Sequence, residues 1–234
     1  MITNNVYTFF EGFGSEAKLL VSLWKTSWQK YGWNPIVLSL KDIQPTNEYT
    51  AFKQTVQQYP TVNNPMFEWF CYARWFAMYQ NHISGLHVDI DVLNFGCDVN
   101  EARNVIPKGI GCISMQSIGG LWCDVGGYTD FVNILLNVNT DTIINYASQT
   151  DVCNHMSDMH IFNYYCHTRH IRPTLYLPHI NTTIMASPLD LKTFLTTPQI
   201  HLVHFCSNFC MSQEIFQSKA RCIKYLVHLK EILS

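Results

Sequence analysis

Along the first hundred residues, apolar positions alternate between runs of strand length and stretches of helical spacing. Val6 to Phe10 is β-branched and aromatic and ends at Glu11-Gly12-Phe13-Gly14, a strand followed by a turn. Leu19, Leu20, Leu23, Trp24 and Trp28 then recur at helical spacing, with Ser15 placed to cap the segment and Tyr31-Gly32 placed to end it. Asn34-Pro35 leads into a second apolar strand over Ile36 to Leu40. Strand, helix and strand in this order predict a βαβ unit with a right-handed crossover and a parallel sheet. Pro60 to Pro65 reads as a loop, Phe67 to Tyr79 as a helix carrying Phe70, Arg74 and Met78 on one face, and Gly85 to Val92 as a third strand.

The pattern is less regular afterwards. Ile110 to Met115 reads as a strand, Gly119-Gly120 and Gly126-Gly127 as brackets around a loop, and Phe131 to Leu136 as a helix. Asp158 to Tyr165 is expected to be helical, Ile200 to Phe205 a short buried strand, and Gln213 to Leu233 an amphipathic closing helix. No internal repeat, low-complexity stretch or linker interrupts the chain. Together these elements predict one α/β domain whose mainly parallel central sheet is flanked by helices.

Composition narrows the function classes. Of 234 residues, 47% are hydrophobic and 14% aromatic, ample for a continuous core without disulfides or a structural metal. Charged residues make up 14% and the formal net charge is -2, with no basic block, which argues against nucleic acid as a partner. No window is apolar enough to span a bilayer. The start, Met1-Ile2-Thr3-Asn4-Asn5, carries no basic n-region, so no signal peptide is expected. Nine cysteines scattered through apolar segments read as reduced, buried thiols, and the expected compartment is cytoplasmic.

The chemistry concentrates in Val88-Asp89-Ile90-Asp91-Val92. On a regular strand, residues two apart share a face, which would set Asp89 and Asp91 side by side. Two carboxylates that close repel, and burying them unpaired costs several kcal/mol, so a cation is expected between them. Mg²⁺ or Mn²⁺ suits such hard oxygen ligands, together with phosphate oxygens. Ligands of open α/β sheets sit beyond the carboxyl ends of strands, where this pair falls. Arg74, on the helix before it, offers bidentate hydrogen bonds to a phosphate. The bland alternative is one Asp capping a turn and one facing water.

Arg74-Trp75-Phe76-Ala77-Met78-Tyr79 followed by Gly85-Leu86-His87-Val88-Asp89-Ile90-Asp91-Val92 resembles the arginine helix and DxD strand of GT-A sugar transferases. One glycine stands where those families have two, and His87 stands where an aromatic is usual. The resemblance implies a single GT-A domain. Residues 1–100 would form its nucleotide-sugar half, and residues 101–234 its acceptor half and closing helix. It further implies a nucleotide-sugar donor, UDP- or GDP-linked, bound by Thr8, Phe9, Phe10, Arg74, Asp89, Ile90 and Asp91, and a glycan or glycoconjugate acceptor. Asp42 is a further nucleoside contact or simply an exposed loop residue.

GT-A enzymes often add a late histidine to the metal site. His204 is the expected third ligand and His201 the fallback, on the strand Ile200 to Phe205. Ser157-Asp158-Met159 resembles a helix-opening segment near the acceptor site. Asp158 is the leading candidate for the base an inverting enzyme needs, ahead of Asp124 and Asp130, although Ser157 and Asp158 also suit a helix cap. Trp122 and Asp124, between the glycine pairs, are expected to line the sugar or acceptor pocket, with a buried tryptophan as the ordinary alternative. The rival readings are a zinc-binding interaction module built on Cys166-His167-Thr168-Arg169-His170 and Cys206 to Cys210, a nucleotidyltransferase, and an inactive GT-A-like nucleotide-sugar binder. A nucleotidyltransferase would need a glycine-rich phosphate loop with a lysine, and Glu11-Gly12-Phe13-Gly14 is followed by Ser15-Glu16.

Overall fold

The computed structural model describes residues 4–103, 110–112, 120–148, 155–169, 182–185, 194, 201–205 and 218–233. Strand β1 (Asn5–Phe9), helix α1 (Gly14–Gln29) and strand β2 (Asn34–Leu38) form the expected βαβ unit, with β1 and β2 parallel from Asn5 opposite Asn34 to Phe9 opposite Leu38. Helix α1 begins at Gly14 with Phe13 as its cap residue, so Ser15 lies inside the first turn instead of capping it. A single 3₁₀ turn (Leu40–Asp42) follows β2, and helix α2 (Asn47–Val56) is capped by the Thr46 hydroxyl, which accepts from the Tyr49 amide at 3.1 Å.

Helix α3 (Pro65–Gln80) starts where Asn64 accepts from the Met66 amide at 2.9 Å and Pro65 supplies a first residue that needs no hydrogen bond. It is apolar almost all round, with Trp69, Tyr72, Ala73, Trp75, Phe76, Ala77 and Met78 all buried, as suits a helix enclosed on every side. Strand β3 (Gly85–Val88) lies parallel to β1, and β4 (Val92–Asn94) leaves into a second sheet. Gly85 is required here by close approach: a Cβ would sit 3.0 Å from the Tyr7 ring and 3.2 Å from the Asn5 carbonyl.

After the short helix α4 (Val99–Arg103), strands β5 (Ile110–Cys112) and β6 (Gly120–Cys123) complete a five-stranded sheet in the order β2-β1-β3-β6-β5. Its three parallel strands are extended by β6, which runs antiparallel to both β3 and β5. The loop expected between the glycine pairs is therefore a strand. Gly120 to Cys123 gains ladder bonds to β3 on one side and β5 on the other, which outweighs the local preference of glycine for turns. Residues 113–119 of the predicted Ile110 to Met115 strand and glycine pair lie outside the described residues.

Helices α5 (Val125–Asn137), α6 (Thr140–Ala147) and α7 (Asp158–Thr168) pack with α2 and α3 against one face of the main sheet, around Trp75, Phe76, Phe131 and Phe162. The other face carries α1 with Trp24 and Trp28, then β4, β7 (Thr182–Met185), β8 (Leu202–Phe205) and the closing helix α8 (Lys219–Leu233). These last strands form a three-stranded sheet in the order β4-β8-β7. Burying tryptophans as fully as Trp24 and Trp28 contributes roughly 2–3 kcal/mol each in transfer free energy. No helix among the described residues is long and apolar enough to cross a membrane.

Candidate functional site

The site forms where β3 stops. The expected strand through Val92 ends at Val88, because the chain turns over Asp89 to Val92 with the Val92 amide donating to the Asp89 carbonyl at 3.0 Å. Asp89 and Asp91 converge across this turn, and not by strand alternation. Trp28 fixes the turn from below, its indole donating to the Val92 carbonyl at 3.1 Å. Strand β8 then pairs with β4 so that His204 stands opposite Val92, and the Phe205 amide donates to the Asp91 carbonyl at 3.0 Å.

This register brings one ligand atom from each of Asp89, Asp91 and His204 within 4.8 Å of one another. Two carboxylates and an imidazole are a donor set that fits a divalent cation such as Mn²⁺ or Mg²⁺. Among the described residues this is the one cluster of three such side chains placed to hold an ion. His204 Nε2 lies 3.4 Å from Asp91 Oδ1, and the Lys219 ammonium pairs with Asp91 Oδ2. Burial works to raise the Asp91 pKa, but His204 and Lys219 outweigh it and hold the carboxyl at about 2. Burial likewise works against a charged His204, and the Asp91 carboxylate outweighs it and raises the imidazole above its ordinary value.

Arg74 projects from the middle of α3 to the same end of the sheet. Its Nη1 donates to Asp89 Oδ1 at 2.8 Å, while Nε donates to Asp158 Oδ2 at 2.9 Å and Nη2 donates to the same oxygen. The Trp75 indole adds a third donor to that oxygen at 2.7 Å. Asp158, the expected acceptor base, is 1% exposed, and its Oδ2 accepts from Arg74 and Trp75. Ser157 takes the capping role, accepting from the His160 amide at 3.3 Å.

The remaining expected residues take varied positions. Thr8 is fully buried, with no partner for its hydroxyl, and presents no surface to a ligand. Phe9 and Phe10 are half-buried, and Ile90 sits within the carboxylate turn. Phe10 borders a surface cleft of about 790 Å³ together with Phe13, Lys18, Lys25, Ser39 and Lys41. Asp42 closes a capping box with Ser39, accepting from its amide at 2.9 Å and its hydroxyl at 2.8 Å. Asp124 caps α5, accepting from the Gly127 amide at 2.8 Å, and Asp130 lies on the same helix. The Trp122 backbone lies in β6, and its side chain lies outside the described residues. The His201 carbonyl accepts from the Phe95 amide at 2.7 Å.

Of the zinc-module residues, Cys166 is buried in the core of α7 and the His167 ring packs 5.8 Å from Tyr146. His170, Cys206 and Cys210 lie outside the described residues.

Two charged residues of this region carried no signal in the sequence. Lys219, at the first turn of α8, is 128 positions from its partner Asp91. Glu68, at the first turn of α3, is 4% exposed, with Oε1 accepting from Asn63 Nδ2 at 2.6 Å and Oε2 without a partner. Its burial raises its pKa, with a further rise from the Asp158 charge set against lowering by Asn63, His155 and Arg74.

No protein-family model matches this sequence, and no curated protein matches it. The structure is similar to that of mouse xyloside xylosyltransferase 1 in its apo form, at a TM-score of 0.51 and 9% identity over 89% of this chain and 99% of that one. It also matches a glycosyltransferase involved in the glycosylation of the major capsid of PBCV-1, at a TM-score of 0.41 and 10% identity over 95% of this chain and 98% of that one. The chain adopts the GT-A glycosyltransferase fold, with an Asp-x-Asp-His group at the carboxyl end of its central sheet.

Proposed function

We propose that this protein is a metal-dependent glycosyltransferase moving a sugar from a nucleotide-diphosphate donor, UDP- or GDP-linked, to a hydroxyl of a glycan or glycoconjugate. The observation that carries this reading is the convergence of Asp89, Asp91 and His204 beyond the end of β3, within a GT-A fold. Those three residues would hold Mn²⁺ or Mg²⁺, which when bound neutralises charge on the departing diphosphate.

The chain's own residues supply the rest. Arg74 is fixed by Asp158 and Trp75 with one edge of its guanidinium turned to Asp89, which sets a preorganised positive charge beside the diphosphate position. Asp158 acts in this reading as the residue that orients Arg74. Its proposed role is positioning, since a base must meet the acceptor hydroxyl and this carboxylate is enclosed. Phe9, Phe10 and Ile90 remain proposed donor contacts, and Trp122 a proposed pocket residue. A reducing, cytoplasmic setting is supported by Cys71, Cys97, Cys166 and Cys222, none of which is in a disulfide.

The test is calorimetric titration of UDP and GDP into the protein with Mn²⁺ or with EDTA, repeated on Asp89→Ala/Asp91→Ala. Metal-dependent binding of one nucleotide, lost in the double variant, is the expected result. Absence of binding by folded wild-type protein in the presence of Mn²⁺ and Mg²⁺ removes the reading.

A further inference from the structure

We infer that Lys219 is a resident cation of the carboxylate site, and that its ammonium and a divalent ion are alternative partners of Asp91. The inference rests on the metal site proposed above and concerns how that site is held when no metal is bound.

Each carboxylate of the turn already has an organic counter-ion. Asp89 is paired with Arg74 and Asp91 with Lys219, while His204 approaches the other oxygen of Asp91. Asp91 therefore has one oxygen facing the imidazole and one bound to the ammonium. A divalent ion that uses Asp91 fully must enter where Lys219 now stands, or sit against its positive charge. Charge balance favours departure of the lysine. Among the described residues joined in these ion pairs, Asp89, Asp91 and Asp158 face Arg74 and Lys219, which leaves one negative charge when His204 is neutral, as a metal ligand requires. A divalent ion added beside a retained Lys219 makes this group positive, whereas exchange of one for the other leaves it neutral. In surroundings this enclosed, with Asp91 11% and Lys219 20% exposed at the side chain, uncompensated charge is costly.

The position of Lys219 points the same way. It is the first residue of α8, where the helix macrodipole disfavours a cation, and the Asp91 carboxylate supplies the opposite charge there. The start of α8 does not depend on that pair. Ser218 caps it, accepting from the Arg221 amide at 3.2 Å, and donates its hydroxyl to Glu16 of α1. Arg221 adds an ion pair to Glu16 at 3.0 Å. The helix start is thus anchored to α1 independently, and the partly exposed lysine side chain can release Asp91 without detaching the helix.

The test is titration of Mn²⁺ into nucleotide-free wild type, Lys219→Met and Lys219→Arg, by calorimetry. Methionine keeps the length of the stem and removes the charge, so Lys219→Met should bind Mn²⁺ about tenfold more tightly, and Lys219→Arg should stay within about threefold of wild type. The melting temperature gives a second readout: Lys219→Met should melt below wild type in EDTA and show the larger rise on adding Mn²⁺. Equal or weaker Mn²⁺ binding by folded Lys219→Met, with wild type binding normally, overturns the exchange and leaves the metal site standing. Absence of Mn²⁺ binding in both overturns the metal site, and the exchange with it.

Discussion

Removing the Arg74 guanidinium while keeping its aliphatic stem should destabilise the fold far more than loss of one surface ion pair. Arg74→Met strips two of the three donors from Asp158 Oδ2 and leaves the Trp75 indole as its sole partner there. The Asp158 side chain is 2% exposed, so its charge stays behind in a protein environment. Breaking a buried pair in this way costs about 3–5 kcal/mol, whereas the more exposed Asp89 contact adds about 0.5–1 kcal/mol at most. Asp158→Asn keeps an acceptor for Trp75 and Arg74 and should cost about 1–3 kcal/mol. The double variant removes both charges and should recover about 2 kcal/mol relative to the sum of the single effects. Urea unfolding measures all three. With a slope near 2 kcal/mol per molar, Arg74→Met shifts the midpoint down by more than about 1 M without changing the slope. Additivity of the two substitutions within about 0.5 kcal/mol would refute the claim that Arg74 and Asp158 act as one buried unit.

Two further substitutions test the packing around the site. Glu68→Gln should stabilise the protein by about 1–2 kcal/mol at pH 7, because Oε2 of Glu68 is buried without a partner. Burial raises the Glu68 pKa, so the native state favours the protonated acid, and the native glutamate becomes a growing liability as pH climbs from the ordinary carboxyl range toward that raised value. The gain should therefore close near pH 4 in urea melts, and a destabilised Glu68→Gln at pH 7 would contradict it. Trp28→Phe deletes the indole that donates to the Val92 carbonyl at the carboxylate turn and leaves space in a fully buried position. A loss of about 2–3 kcal/mol by the same assay is expected, and a loss under about 1 kcal/mol would show that the turn does not depend on this bond.

The first half of the fold was legible because its signals are local. Helical spacing of Leu20, Trp24 and Trp28, and two apolar runs at strand length, are enough to specify β1, α1 and β2. Helices α2 and α6 lack a periodic signal although their caps are visible, with Thr46 and Asn139 each accepting from the amide three residues on. Neither helix is long or strongly apolar, so a periodicity search passes over them. The reverse holds at Gly119 to Gly127, where the glycines predict a loop. Pairing with β3 and β5 is a property of distant chain segments, and it turned Gly120 to Cys123 into a strand.

The candidate site divides along the same line, and the division has a physical cause. Acidic residues two apart at the end of an apolar run are visible, because burying them conflicts with the hydrophobicity around them. Their geometry is not legible, since Asp favours turns as well as strand ends and the chain reverses at Asp89 to Val92. Arg74 and His204 stand out in the sequence, but which carboxylate each one meets does not, and Lys219 carries no signal. Asp91 meets His204 through the β4-β8 register and Lys219 through α8, and Asp89 meets Arg74, which is itself held by Asp158 from 84 residues away. A sequence can therefore announce that charge must be compensated at this turn, but the choice between a metal ion and an internal ammonium is made by tertiary packing. The position of Lys219 at a helix start that disfavours it is the physical trace of that choice.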